Sequence, residues 1–427
     1  MGGASTANAE KREYIRIGCI GQKPPFMYNP QTASLQIDTG LIAAVRDFSI
    51  EIEWISFEEG IRAFLAREGY RDYDGILGAI VRGERDDWLT LQEKRPFVAC
   101  GEFVPFSRLN YVENDDVMSG RLITEHFIDE GHVSIGFMSP YPHAWAQGRY
   151  DGYIGTLREH GMEPVREHIF GMDCLTGTLD PVFVGFTHQR FPEIATMYVE
   201  RLLSLGTRPS AVVCANDNTA KFIIAAMKER GLRVPEDIAL AGVDDAIERG
   251  NNRWRTSKLT SVRQDGYARG YWSVGLLVDI IEGRRNRDGQ SIEVPPRLII
   301  RETSLKRSLS TAGRTALAFR RAVTDYIEMN FARDNVLPAV ARHVGASKEY
   351  FLKKFHRTTG MKFGAYLNDL RLTKAAFFVK DTTRTMVDIL YDVGFSTEKT
   401  FYLSFRRKFG CSPQTYRARH HKRRKKG

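Results

Sequence analysis

Long apolar runs are missing from this chain. The longest, Trp272–Ile281, is interrupted by Asp279 and is too short to span a bilayer. The Met1–Glu13 segment is polar and lacks a signal-peptide core, so no membrane partner and a cytoplasmic location are expected. Cysteine is sparse. Cys19, Cys100, Cys174, Cys214 and Cys411 form no C-x-x-C pair, and the first two and Cys214 lie in apolar runs that suit buried free thiols. The histidines show no H-x-x-x-H spacing, so no metal is expected. Neither G-x-G-x-x-G nor G-x-x-x-x-G-K-[ST] occurs, which leaves nucleotide cofactors without an anchor; no cofactor is expected. No motif joins nucleophile, base and orienting group, so the chain reads as a non-enzyme.

Acidic residues are scarce in one part only. Residues 306–427 hold 27 Lys and Arg against nine Asp and Glu, whereas the preceding residues hold 35 against 43. A basic module joined to an acidic one implies two tasks, the basic one facing a polyanion. From Tyr14 to Ser304, short apolar runs alternate with amphipathic helical stretches. Such alternation implies doubly wound parallel sheets, here in two lobes. Polar clusters at Asp74-Gly75, Cys214–Asp217 and Gly242–Asp245 are expected at strand ends, where open parallel sheets bind ligands. The boundaries expected are a two-lobed α/β region at 14–305, a Ser- and Gly-rich linker at 306–316, an all-α region at 317–417 and a mobile basic tail at 418–427.

The basic region contains two similar units. Leu337-x-x-Val340-Ala341-x-x-Val344-Gly345-Ala346-Ser347 precedes a helix ending near Phe355. Met386-x-x-Ile389-Leu390-x-x-Val393-Gly394-Phe395-Ser396 precedes one ending near Phe409. Each is a short helix, a Gly turn, a Ser at the expected N-cap and a longer helix. Phe351 and Phe355 mark the buried face of the first long helix, Phe401 and Phe405 that of the second. The opposite faces carry Lys348, Glu349, Leu352 and Lys353, then Glu398, Lys399, Leu403 and Arg406, which suits recognition helices in a major groove. Lys354, Arg357, Arg406, Arg407 and Lys408 are expected at phosphates. The two leucines either meet thymine methyl groups or pack inward.

Joined by an amphipathic helix at Phe363–Val379, these paired units closely resemble the DNA-binding domain of the AraC/XylS family. The matching residues include Gly345, Ser347, Gly360, Arg371-Leu372, Gly394-Phe395, Gly410, Ser412-Pro413 and Tyr416-Arg417; Leu390 departs, standing where the family usually has Ala. The resemblance implies that both long helices enter adjacent major grooves of double-stranded DNA, with Glu349, Leu352, Lys353, Lys399, Thr400 and Leu403 toward base edges.

The front of the chain resembles the effector-binding domain of the LacI/GalR family, a type I periplasmic-binding-protein-like fold. The resemblance runs through Tyr73–Leu77, Val112-x-Asn114-Asp115, Arg149-x-x-Gly152-Tyr153, Pro209–Asp217, Gly231–Asp237, Gly242-x-Asp244-Asp245, Leu259–Gln264 and Pro295–Glu302 in order. It begins at the first sensor strand, so DNA binding is expected at the other end of the chain. That order is similar to the XylR type of xylose-operon regulator. The resemblance implies that Arg149 grips sugar hydroxyls, with Asn216 and Asp244 in the cleft and Gln264 beside the hinge. Asp217 is either a cleft residue or a helix cap, Asp74 a hydroxyl acceptor or a turn residue, and Trp145 a sugar platform or a core residue. Gln22 and Phe26 are candidates for the wall contributed by the N-terminal lobe. The expected protein is a sugar-responsive homodimeric transcription regulator, activating through RNA polymerase as most of the reader's family do. The alternative is a regulator whose sensor serves only for dimerisation.

Overall fold

The computed structural model describes residues 14–20, 40–45, 48–55, 60–78, 85–100, 108–141, 143–171, 191–245, 258–305 and 319–424, except 321, 325, 329, 382 and 383. Contacts divide the chain into two units, Met1–Arg307 and Ser308–Gly427.

The apolar runs of the first unit become short strands buried on both faces, as parallel strands covered by helices must be. One sheet contains β1 (Ile15–Ile20), β2 (Ile50–Ile55), β3 (Gly75–Gly78), β4 (Phe97–Ala99), β5 (Tyr111–Asn114) and β11 (Ser291–Val294), in the order β11-β5-β4-β3-β1-β2. The other contains β6 (Ile135–Met138), β7 (Ile169–Phe170), β8 (Ala211–Cys214), β9 (Ala239–Val243), β10 (Thr260–Arg263) and β12 (Arg297–Ile299), in the order β12-β10-β9-β8-β6-β7. Every recorded pairing is parallel except β10 with β12. This is the expected two-lobed α/β architecture.

The chain crosses between the sheets at Asn114–Asp116, at Gln264–Gly266 and between β11 and β12. After β5, helix Asp116–Asp129 packs on the second sheet. After β10, helix Gly266–Ile281 packs back on β3, β4 and β5. Glycine sets the approach of helix Asp116–Asp129 to helix Ala144–Glu159. A Cβ on Gly120 or Gly152 would run into the backbone carbonyl of Arg149 or Val117, so the two helices touch backbone to backbone. That contact brings Arg149 against Asp116.

The second unit is helical throughout its described residues. Phe319, Val323, Val340, Phe351, Phe355 and Phe363 share one core; Leu372, Ile389, Leu390, Phe401 and Phe405 share another. The helices include Val336–His343, a first long helix Lys348–Thr359, a connecting helix Phe363–Asp381, Met386–Asp392, a second long helix Glu398–Phe409, and Pro413–Arg424. Gly345 and Gly394, at φ 63° and 86°, make the two turns. The first long helix is capped by Ser347 as expected. The second is capped by Thr397, one residue beyond the expected Ser396, because its turn is one residue longer. The final helix carries on to Arg424, through residues expected to form a mobile tail; no Pro or Gly interrupts Gln414–Lys426. The linker expected at 306–316 lies outside the described residues.

Candidate ligand site and nucleic-acid interface

Three segments at the carboxyl ends of β6, β8 and β9 meet around one guanidinium. Arg149 is 4% exposed. Its Nε donates to Asp116 Oδ1 at 2.8 Å and its Nη1 to the Ala215 carbonyl at 2.6 Å. Its Nη2 lies 3.7 Å from Asp244 Oδ1. The Trp145 ring sits against the guanidinium, 4.5 Å from centroid to Cζ, and packs on Tyr141 at 4.9 Å. Two of the expected residues, Asp244 and Trp145, are therefore gathered at Arg149. Asn216 adjoins them through Tyr141, whose hydroxyl burial pushes up in pKa, against hydrogen bonds from the side chains of Asn216, Asn218 and Thr219.

Asn216 is the cap of helix Asp217–Glu229: its Oδ1 accepts from Thr219 N and Thr219 Oγ1, both at 2.8 Å. Asp217 takes neither suggested role. It is buried and accepts from the Ser261 hydroxyl at 2.6 Å, tying its helix to β10. Gln264 is buried at the second crossover, where Oε1 accepts from Asn114 at 2.9 Å and Nε2 donates to Asp116 Oδ1 at 3.2 Å. Asp74 precedes β3 instead of following it. Its carboxylate accepts from Arg16 N at 2.8 Å, at the amino ends of β1 and β3, so it is a turn residue remote from the carboxyl ends. Gln22 and Phe26 lie outside the described residues.

Sequence reasoning missed Asp116. It sits in a polar triplet that reads as helix start, and only the glycine-mediated contact reveals its partner. Burial raises the pKa of this carboxyl, and the adjacent Arg149 opposes the rise. Missed too was the support beneath Asp244. Both Asp244 and Asp245 have positive φ, 110° and 48°. Asp245 is clamped by Arg263 and Arg301, each at 2.5 Å, and its N–H donates to Ser261 Oγ at 2.9 Å. These bonds hold an unfavourable backbone conformation that aims Asp244 at Arg149.

In the second unit, Lys348, Glu349, Lys353 and Arg357 on the first long helix are exposed, as are Lys399, Thr400, Leu403, Arg406 and Arg407 on the second. Leu352 takes the inward alternative: it is half-buried and packs against the first core, being nearer the Phe351–Phe355 face than the opposite one. Lys408 donates to the Asp369 carboxylate at 2.6 Å, the Asp369 carbonyl at 3.0 Å and the Thr373 hydroxyl at 2.7 Å, which ties it to the connecting helix and away from the expected phosphate role. Lys354 likewise lies over the Phe319 ring, 4.3 Å from its centroid.

The fold and these two sites define a protein with a binding-protein-like α/β unit followed by a helix-turn-helix unit. A family model described as a periplasmic binding protein-like domain matches residues 124–304, and one described as a helix-turn-helix domain matches residues 340–419. The NTD biosynthesis operon regulator NtdR of Bacillus subtilis is 25% identical over 236 residues, 55% of this chain and 66% of its own length. The HTH-type transcriptional repressor PurR of Pasteurella multocida is 30% identical over 233 residues, 54% of this chain and 64% of its own. The chain thus spans just under two thirds of each of these relatives. A solved regulatory protein of the LacI family from Chloroflexus aggregans is 26% identical, with a TM-score of 0.52, covering 67% of this chain and 97% of that one. No described helix is long and apolar enough to cross a membrane.

Proposed function

We propose that the protein is a ligand-responsive transcription regulator in which a hydroxylated small molecule at Arg149 alters how the helix-turn-helix unit binds duplex DNA. The observation that carries this reading is the guanidinium of Arg149, pre-set by Asp116 and Ala215 at the carboxyl ends of parallel strands, in a chain that also has two capped reading helices with basic exposed faces. A planar guanidinium can hold adjacent hydroxyl oxygens. With Asp116 already bonded to it and Asp244 beside it, its charge is balanced, which favours a neutral sugar over a phosphorylated or acidic one. The same Asp116 oxygen accepts from Gln264, so ligand contact at Arg149 is felt directly at two crossovers, where lobes of this fold hinge. A sensor-mediated homodimer placing two readers on repeated half-sites, activation through RNA polymerase, and control of a pentose-type catabolic operon as in XylR-type regulators complete the reading.

A thermal-shift panel of neutral monosaccharides, their phosphates and sugar acids tests it. A sugar at a hundred times its dissociation constant stabilises by about 2.7 kcal/mol. The same sugar should change the protein's affinity for a selected duplex. Stabilisation without any change in duplex binding would refute the regulatory link. No stabilisation by any sugar would favour a sensor kept for self-association.

A further inference from the structure

We propose that Tyr350 reads DNA sequence, its ring meeting a thymine methyl group in the groove entered by the first reading helix. The inference rests on the DNA-binding reading above. The two reading helices repeat in register: Phe351 matches Phe401, Phe355 matches Phe405, and the left-handed C-cap glycine Gly360 matches Gly410. In that register Tyr350 stands where Thr400 stands, in the first turn, the part of a recognition helix that meets base edges. Thr400 is short, and its hydroxyl accepts from Thr397 Oγ1 at 2.9 Å. Tyr350 projects further and is 56% exposed.

Each reading helix exposes one large apolar side chain, Tyr350 at 56% on the first and Leu403 at 57% on the second. Leu352, the residue expected to supply apolar contact on the first helix, is packed against the core instead. Tyr350 therefore takes the apolar role there. Its ring is also pre-set. The Lys354 ammonium lies 5.7 Å from the Tyr350 centroid and 4.3 Å from that of Phe319, a buried core residue. A cation already seated on Phe319 and within reach of the tyrosine ring favours one placement of that ring, which lowers the freedom lost on contact. Tyrosine in such a setting offers a rigid apolar surface, and thymine is the base that presents a methyl group in the major groove.

Selection from a randomised duplex library by the full-length chain, followed by sequencing, tests this for the wild type, Tyr350→Phe and Tyr350→Ala. The wild type and Tyr350→Phe should enrich the same motif. Tyr350→Ala should lose a thymine preference in one half of that motif and keep the rest. Its affinity for the wild-type motif should fall roughly tenfold while its affinity for arbitrary competitor stays level. Unchanged melting of Tyr350→Ala is expected for an exposed side chain and shows that the variant folds. An unaltered motif with Tyr350→Ala overturns the proposal. So does a loss with Tyr350→Phe as large as with Tyr350→Ala, which would assign the contact to the hydroxyl. If the wild type enriches no motif at all, the DNA-reading function itself fails and this inference falls with it.

Discussion

Arg149 and Asp116 form a largely buried ion pair, Nε to Oδ1 at 2.8 Å, that joins the side chain at the strand ends to the first crossover between the sheets. Their approach is made possible by Gly120 and Gly152, where the two helices touch backbone to backbone. Gln264 shares the same carboxylate oxygen from the second crossover. The pair therefore both supports the candidate ligand group and ties it to the two crossovers.

Arg149→Ala should abolish the thermal shift given by any sugar that stabilises the wild type, while duplex affinity stays nearly level. Asp116→Asn keeps the shape but removes the nearer of the two carboxylates beside the guanidinium, leaving only Asp244 at 3.7 Å. It should weaken neutral-sugar binding, let sugar phosphates bind, and cost about 1–3 kcal/mol in urea unfolding. A variant that still excludes phosphates would show that Asp116 does not set the charge preference.

The two turn glycines should differ. Both occupy the left-handed region, which costs a non-glycine residue roughly 1–2 kcal/mol. At Gly345 an added Cβ meets open space, so Gly345→Ala should cost about that much. At Gly394 the Cβ would lie 2.8 Å from the Ala332 carbonyl oxygen and 2.9 Å from Arg371 Cζ, so Gly394→Ala should cost more. Urea unfolding of the full chain measures both; equal losses would contradict the packing at Gly394.

Three neighbouring cations on the second reading helix should respond in three ways. Lys399→Ala should cost about 1–3 kcal/mol on the preferred duplex and relax specificity at one position. Arg407→Ala should weaken binding to all duplexes and lower the salt slope by about one. Lys408→Ala should leave the salt slope unchanged, because its ammonium is held by Asp369 and Thr373. Fluorescence titrations from low to moderate salt separate the three.

His126 should make the first unit sensitive to acid. Its ring is 6% exposed, with Nε2 2.7 Å from Ser304 Oγ, and burial lowers its pKa below the ordinary 6.5, against Glu130 and Asp129. The unfolded chain then takes up the proton first. The contribution is complete above pH 6.5 and is lost as pH falls from there through the folded pKa. Melting temperatures of wild type and His126→Gln, compared between pH 7.5 and 5, should converge as pH falls; a constant gap would contradict this.

Much of the architecture was readable because periodicity and turn chemistry are local. The alternation of buried runs such as Ala211–Cys214 with helices such as Asp217–Glu229 marks a doubly wound fold, and Gly345 and Gly394 mark the two turns, since each residue faces a constraint from its immediate neighbours. The same locality misled at Asp74, where a polar pair beside an apolar run does not say which end of the strand it occupies. It also misled at Leu352, whose placement depends on how the surrounding helices close over its flank.

What the sequence determined by itself was the two-unit plan, the strand–helix order, the paired helix-turn-helix pattern and the candidacy of Arg149. Only the tertiary structure decided that Asp116 is the partner of Arg149, that Asp217 belongs to Ser261, that Lys408 is occupied and that Tyr350 stands exposed. Those outcomes depend on contacts between residues far apart in the chain, and side-chain partners of that kind are set by packing distance, which no local pattern encodes.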